Sequence, residues 1–581
     1  MERRGVIELA AFGAVAVLTM AACDNGGGSS PSTAGFNAAV TKIVNPSNHR
    51  GGTLTFGLSS TPDSTDPGNT YTTFMWNFSR LYTMPLMTYK SCPGACGLQL
   101  VRDLATSPGV VSDHGLTWTY HLQPNVKFED GTAVTSADVK YAVERTFARG
   151  VLPLGPSYFP RLLAPQKPAY PGPYVDRSKN LMGLKAVQTP NRTTIVFHLA
   201  HPFADFNYVA AIPQTAPVPP AKDTGSNYQL HPISTGRYKF ASYQLGKQLT
   251  LVPNPRWSPA TDPNAKQLVS KITVTMNMNP IDVDNRLLAG YLNVDMFGSG
   301  VQAVTRARIL SSPSLKAHAD DPVTGGLEFA YLNTKVAPMN NVHCRAAIEY
   351  AANKVSLQTA NGGPYAGVIA STVSPPNIIG HKNFDLYEAT TKPTGDLAKA
   401  KEQLRLCGQP NGFTTGIAYA SLPVAVAAAS ALQASLSQAG IKTTLHGYPP
   451  GTYAADFAGV PNYVHQHGLG IAFGAWGADW PDGYGFFDAL TNGAAITPAG
   501  NGNIEELNDP VVNNDLAKMA TTNNEAQRNA YTPQIDLQVM KDAAILPEEY
   551  SKVLLYRKPN LTNVYVQPYY GQYNYAVLGL K

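Results

Sequence analysis

The stretch from Val424 to Leu445 limits the architecture more than any other part of the chain. Apolar residues recur at helical spacing as far as Ala439, Gly440 ends the helix, and Ile441-Lys-Thr-Thr-Leu445 follows as a strand. A helix that passes to a strand through one glycine is the unit step of α/β architecture. Length adds a second constraint. At 581 residues the chain exceeds what one hydrophobic core organises, so two or more domains are expected.

Other segments fit that frame. Gly51 to Gly57, Leu116 to Leu122, Thr194 to Leu199 and Gln248 to Val252 alternate as strands, and Leu327 to Asn333 opens a further unit with a strand. Thr135 with Asp138 three residues later reads as a capping box that starts a helix through Arg145. Helices are expected over 342–354 and 397–406, and over 515–540 with a break at Pro533. Residues 71–89 suggest a helix packed on a sheet, and the Pro- and Tyr-rich span 150–190 reads as a long loop. The tail from Val553 to Leu580 is Tyr-rich and strand-like.

One segment carries distinctive chemistry. Leu469 to Phe473 reads as a buried strand with glycines at its flanks, leading into Trp476-Gly-Ala-Asp479-Trp480-Pro-Asp482. Pro481 and Gly483 force a turn there. The expected result is a carboxylate between two indoles at the mouth of a strand, a composition suited to holding a cation. An Asp before such a turn also serves as a turn former or helix cap.

The N-terminus has the build of an export signal: Arg3-Arg4, a short apolar run, and Met20-Ala-Ala-Cys23, which resembles a bacterial lipobox. Residues 1–22 are thus expected to be a lipoprotein signal peptide, Cys23 the lipidated first mature residue, and 23–49 a flexible tether. The net charge of +5 is modest and has no Lys/Arg run, which gives a nucleic-acid function no support. Four cysteines remain besides Cys23. Cys92 and Cys96 bound a tight loop that oxidation could close, and Cys344 and Cys407 lie on or beside two expected helices; both pairs are expected to be disulfides in an exported protein. Zinc fails on spacing around Cys92 and Cys96.

Several blocks in order resemble the dipeptide/oligopeptide-binding lipoproteins of ABC transporters, the family 5 extracellular solute-binding proteins. They include Gly51-Gly-Thr-Leu-Thr-Phe-Gly with Asp63-Ser-Thr-Asp66-Pro67, Val126-Lys-Phe-Glu-Asp-Gly-Thr-Ala-Val-Thr-Ser-Ala-Asp138, Ser234-Thr-Gly-Arg-Tyr, Tyr331-Leu-Asn-Thr-Lys and Trp476-Gly-Ala-Asp-Trp. The resemblance implies an α/β, two-lobed periplasmic-binding-protein-like fold hinged around a ligand cleft. One lobe would comprise 50–325 and 548–581, with a subdomain inserted at about 71–190; the other would comprise 326–547. It also implies a non-enzymatic receptor without cofactor, a monomer anchored to the outer face of the cell membrane, that delivers peptides to a permease and its ATPase subunits.

By the same resemblance Asp479 binds the ligand's α-ammonium. Ala475, Trp476 and Gly477 belong to a strand that pairs with peptide backbone, Ser59 and Ser60 face it from the first lobe, and Trp480 and Asp482 complete the segment. No motif selects a basic residue for a peptide C-terminus, and relatives of this fold take oligosaccharides, nickel complexes or opines, or read peptide signals. A metal-chelate reading rests on His465-Gln-His467, which would place two imidazoles on one face of a strand. For an enzyme, Asp479 and Asp482 are poorly spaced to flank a scissile bond, and the Gly-x-Ser-x-Gly, His-Glu-x-x-His and phosphate-loop motifs are missing.

Overall fold

The computed structural model describes residues 35–178 and 183–581. The expected signal peptide, Cys23 and the first part of the tether fall outside them. From residue 35 onward the expected tether is already docked: the Ala39 amide donates to Asp320 Oδ1 at 2.9 Å, and Val44 pairs with Val564.

Thr53–Gly57 forms as its alternation requires, burying Leu54 and Phe56. It lies between Lys271–Thr275 and Val294–Asp295, parallel to both, and Gln248–Pro253 and Tyr238–Gln244 extend the sheet. Phe56 meets Phe78 and the tail residue Tyr575 edge-on, with ring centroids 5.7 and 5.1 Å apart. The tail therefore completes the first lobe's core. It does so in two-residue strands, Leu555–Tyr556 against Ala319–Asp320 and Leu561–Thr562 against Gly579–Leu580.

A second sheet, in the order Val110–Ser112, Thr117–His121, Thr194–His198 and Val187–Asn191, packs under the helix Ser136–Arg145, whose Thr135–Asp138 capping box is present. The apolar cluster beneath it continues to Ile212, past the boundary expected at 190. Burying each of Phe159, Phe197 and Phe206 there stabilises by roughly 1.5–3 kcal/mol. Residues 71–89 are only partly helical, over Thr73–Ser79, and the 150–190 span contains a helix at Tyr158–Leu162.

The second lobe is built on six strands in the order Gly367–Ile369, Ile545–Lys552, Val323–Leu332, Ile471–Gly477, Thr414–Ala420, Lys442–Tyr448. Val342–Ala351, Leu397–Leu406 and Pro423–Gln438 pack on one face, and Gly483–Thr491, Pro510–Thr521 and Thr532–Lys541 on the other. Because Ile545–Lys552 pairs with Val323–Leu332, the return to the first lobe comes after Lys552. The helical span expected at 515–540 is divided into Pro510–Thr521, Glu525–Asn529 and Thr532–Lys541; the second break falls just before Pro533, which sits in the first turn of the last helix, where its missing N–H is not needed. Cys344 and Cys407 are bridged, joining two helices of this lobe, and Cys92 is bridged to Cys96.

Candidate functional site

Ile471–Gly477 runs antiparallel to Val323–Leu332 along its whole length, but pairs with Thr414–Ala420 only at Ile471 and Ala472. Beyond that point the two strands diverge. The buried Tyr453 hydroxyl stands in the gap, 3.1 Å from the Ala418 carbonyl oxygen and 2.9 Å from that of Phe473. From Gly474 to Gly477 one edge of the strand has no partner strand, and Ala475 and Gly477 are exposed. Main-chain amides and carbonyls on such an edge remain available to an added strand.

Just past this edge stands Asp479. Its Oδ2 accepts from the Tyr71 hydroxyl at 2.7 Å and from the Tyr158 hydroxyl, while its Oδ1 accepts no hydrogen bond from the described residues. A third tyrosine, Tyr569, donates to the Asp479 carbonyl oxygen at 2.7 Å. The three hydroxyls come from the start of the first lobe, the inserted subdomain and the C-terminal tail. Burial pushes the Asp479 carboxyl above the usual range, while the two tyrosine bonds and the nearby Arg161 pull it down. Tyr71 and Tyr158 are held protonated by burial and by the Asp479 charge.

Tyr71 is itself positioned. Asp63 gathers the turn before it, accepting from Thr70 Oγ1, the Tyr71 amide at 2.7 Å and Thr72 Oγ1. The Tyr71 ring stacks on Trp76. Asp66, next in the same loop, takes a two-pronged bond from Arg145 at 2.9 and 2.6 Å, which ties the loop to the subdomain.

These groups border a cavity of about 280 Å³ lined from both lobes, by Tyr71, Trp76 and Tyr569 on one side and Gly325, Asn377, Gly477 and Asp479 on the other. Gly325 adopts φ +88°, and a β-carbon there would fall 2.5 Å from Asn377 Nδ2, so this wall requires glycine. The Asn377 Oδ1 acceptor is buried without a partner. Asp479 is the one charged side chain in the lining; no lysine or arginine borders it.

The other sequence candidates divide. Ala475 and Gly477 are on the open edge as expected. Trp476 instead turns to the helical face, its Nε1 donating to the Phe486 carbonyl at 2.9 Å. Trp480 is buried against the subdomain, with Nε1 donating to Asp205 Oδ2 at 3.0 Å. The carboxylate is therefore flanked by tyrosines, not indoles, because the indole N–H groups find acceptors in the protein core. Asp482 is buried and caps the helix Gly483–Thr491 through the Gly485 amide at 2.9 Å. Ser59 and Ser60 do not border this cavity; the Ser60 carbonyl is taken by the Asn277 amide. His465 lies on the helix Pro461–Gln466, not on a strand. Its Nε2 is 2.7 Å from Glu506 Oε1, and His467 stacks on Tyr463. Among the described residues no group of three or more His, Cys, Asp and Glu side chains is placed to hold a metal.

Two α/β lobes that share a carboxylate-bearing cavity beside an open strand edge define a ligand-enclosing binding protein. The chain belongs to the bacterial extracellular solute-binding proteins, family 5: the profile described as "Bacterial extracellular solute-binding proteins, family 5 Middle" matches residues 99–497. Among curated relatives, the probable D,D-dipeptide-binding periplasmic protein DdpA of Escherichia coli K12 is 27% identical over 516 residues, spanning 84% of this chain and 87% of that one. Among solved structures, clavulanic acid biosynthesis oligopeptide binding protein 2 superposes with a TM-score of 0.89 at 39% identity, covering 94% of this chain and 98% of that one. The DppA protein of Helicobacter pylori, solved with the peptide STSA, shares the fold with a TM-score of 0.63 at 22% identity, over 92% and 99% of the two chains.

Proposed function

We propose that this protein is the receptor of an ABC importer and encloses a short peptide between its lobes, with Asp479 taking the peptide's α-ammonium. The observation that carries this reading is the Asp479 carboxylate, held by two tyrosine hydroxyls with Oδ1 left over, at the end of an unpaired strand edge. An ammonium on Oδ1 forms a charge-assisted hydrogen bond in a partly dry site, and backbone pairing along 474–477 holds the rest of the peptide without reading its side chains. Contact with both lobes lets binding favour the closed arrangement that a permease would recognise. The names of the curated and structural relatives, peptide binders in several cases, support the ligand class. Lipidation at Cys23, a monomeric state and anchorage at the outer face of the membrane belong to the same proposal.

Native mass spectrometry of the purified protein from residue 24 onward, before and after mild denaturation, tests it. Bound masses matching short peptides are the expected result. A mass matching a sugar, an opine or a metal chelate overturns the peptide reading and leaves the fold untouched.

A further inference from the structure

A second cavity, of about 400 Å³, opens on the other side of Ala475, between the diverging strands and the helix Pro423–Gln438. Ala475 lies opposite Glu328 in the sheet register, and Glu328 lies opposite Glu549 on the next strand. Neighbouring residues of a strand normally point to opposite faces. Here the pairing slips: Glu328 faces Glu549 while Phe329 faces Pro547, which makes Glu548 the extra residue of a β-bulge. A bulge of this kind re-aims a side chain, and Glu548 lines the same cavity as Glu549 and Glu328.

The three carboxyls are only partly compensated from within the protein, Lys354 acting on Glu548 and Lys552 on Glu549. Glu328 Oε1 accepts from Ser551 Oγ at 3.3 Å and Glu548 Oε2 from Asn361 Nδ2 at 3.2 Å. Glu548 Oε1 and Glu549 Oε2 are buried with no hydrogen-bond partner, on side chains of residues only 2% and 1% exposed. Lys552 lines the cavity as well, but its ammonium pairs with Asp321, and Lys354 Nζ is 3.9 Å from Glu349 Oε2. The opposite wall is apolar, formed by Leu422, Val424, Ala425, Ala428 and Phe473. Two buried acids and the half-buried Glu328, facing an aliphatic wall, match a cationic head on a methylene stem, which buries its stem along carbon and its charge among oxygens.

We propose that Glu328, Glu548 and Glu549 form a pocket for a guanidinium or ammonium side chain of the bound peptide, so that the receptor prefers basic peptides. This rests on the peptide reading above and adds a position to it. The pocket lies beside Ala475 on the same open edge that leads to Asp479, so a strand held at one end by Asp479 passes it within a few residues. The Asp479 cavity has no lysine or arginine in its lining.

The test is calorimetry with alanine tetrapeptides carrying arginine, or its uncharged isostere citrulline, at each position in turn. The wild-type protein is expected to bind arginine over citrulline by about tenfold or more at one position. In the Glu548→Gln, Glu549→Gln double variant that preference is expected to vanish while citrulline peptides bind as before, which also shows that the variant is folded. Equal affinity for both peptides in the wild type, or a preference that survives the double variant, overturns the basic pocket alone. Failure of every tetrapeptide to bind overturns the peptide reading, and the pocket with it.

Discussion

Arg528 Nε lies 2.9 Å from Asp205 Oδ1 across the boundary between the second lobe and the inserted subdomain, and 3.6 Å from Asp482 Oδ2 within its own lobe. Trp480 closes the group by donating to the other oxygen of Asp205. One guanidinium thus serves two buried carboxylates, and burial together with the Asp482 charge pushes the Asp205 carboxyl well up. Replacing Arg528 with Met strands both acids. The unfolding free energy is expected to fall by about 3–5 kcal/mol, read from urea denaturation. A shift under half a kilocalorie per mole, as for an ordinary surface change, would contradict the role assigned to Arg528.

Asp479→Asn keeps the shape of the site and both tyrosine contacts but removes the charge. Affinity for an unmodified peptide is expected to drop by roughly 30-fold or more, equivalent to at least about 2 kcal/mol, with thermal stability unchanged or raised. Blocking the peptide's amine by acetylation should reproduce the loss in wild type and add nothing in the variant. Additive losses in that double comparison would mean that the ammonium sits elsewhere.

Gly477 offers a test of the strand edge that leaves the charge alone. A β-carbon at this position meets nothing closer than the Gly325 carbonyl oxygen at 3.9 Å, so a side chain can start from this wall of the cavity, and Gly477→Val adds one there. Binding is expected to weaken by about tenfold or more while the melting temperature holds, because the branched side chain occupies ligand space. Unchanged affinity would remove this edge from the site.

Burial pushes Glu548 and Glu549 each up to about 8. A carboxyl whose folded pKa lies above its unfolded value binds its proton more tightly in the folded chain. Its stabilising contribution is whole below the unfolded value of about 4.5 and is lost as pH rises through about 8. The ligand-free protein should therefore lose stability between pH 5 and pH 9 more steeply than the Glu548→Gln, Glu549→Gln variant, as read from denaturation midpoints. Parallel profiles would show that neither group carries a raised pKa. A cationic ligand should oppose the trend by stabilising the ionised pair.

Much of the frame was legible because it depends on local periodicity. The capping box at Thr135 and Asp138, the strands at Thr53 and Thr117, and the helix–Gly440–strand step need only neighbours in sequence. Asp479 stood out through its place in a strand-to-turn segment that also marks the family. The tyrosines that hold it did not. Tyr71, Tyr158 and Tyr569 are three among 30 tyrosines, converging from three segments far apart in the chain, and no local pattern separates them from core residues. The acidic pocket was hidden for a related reason: Glu548 and Glu549 share a face only through a slip in pairing with a partner strand more than two hundred residues earlier. The two tryptophans misled because a sequence gives proximity but not the direction in which an indole N–H finds its acceptor.

The Tyr453 hydroxyl that props two strands apart has a consequence for the molecule's conduct in a crowded compartment. Open sheet edges recruit other chains and are the usual seeds of aggregation. Here the bare edge is only four residues long, from Gly474 to Gly477, and it ends at the tyrosine-held Asp479. The receptor thus keeps a sticky template ready, long enough to pair with a short peptide yet too brief to seed a sheet between whole molecules.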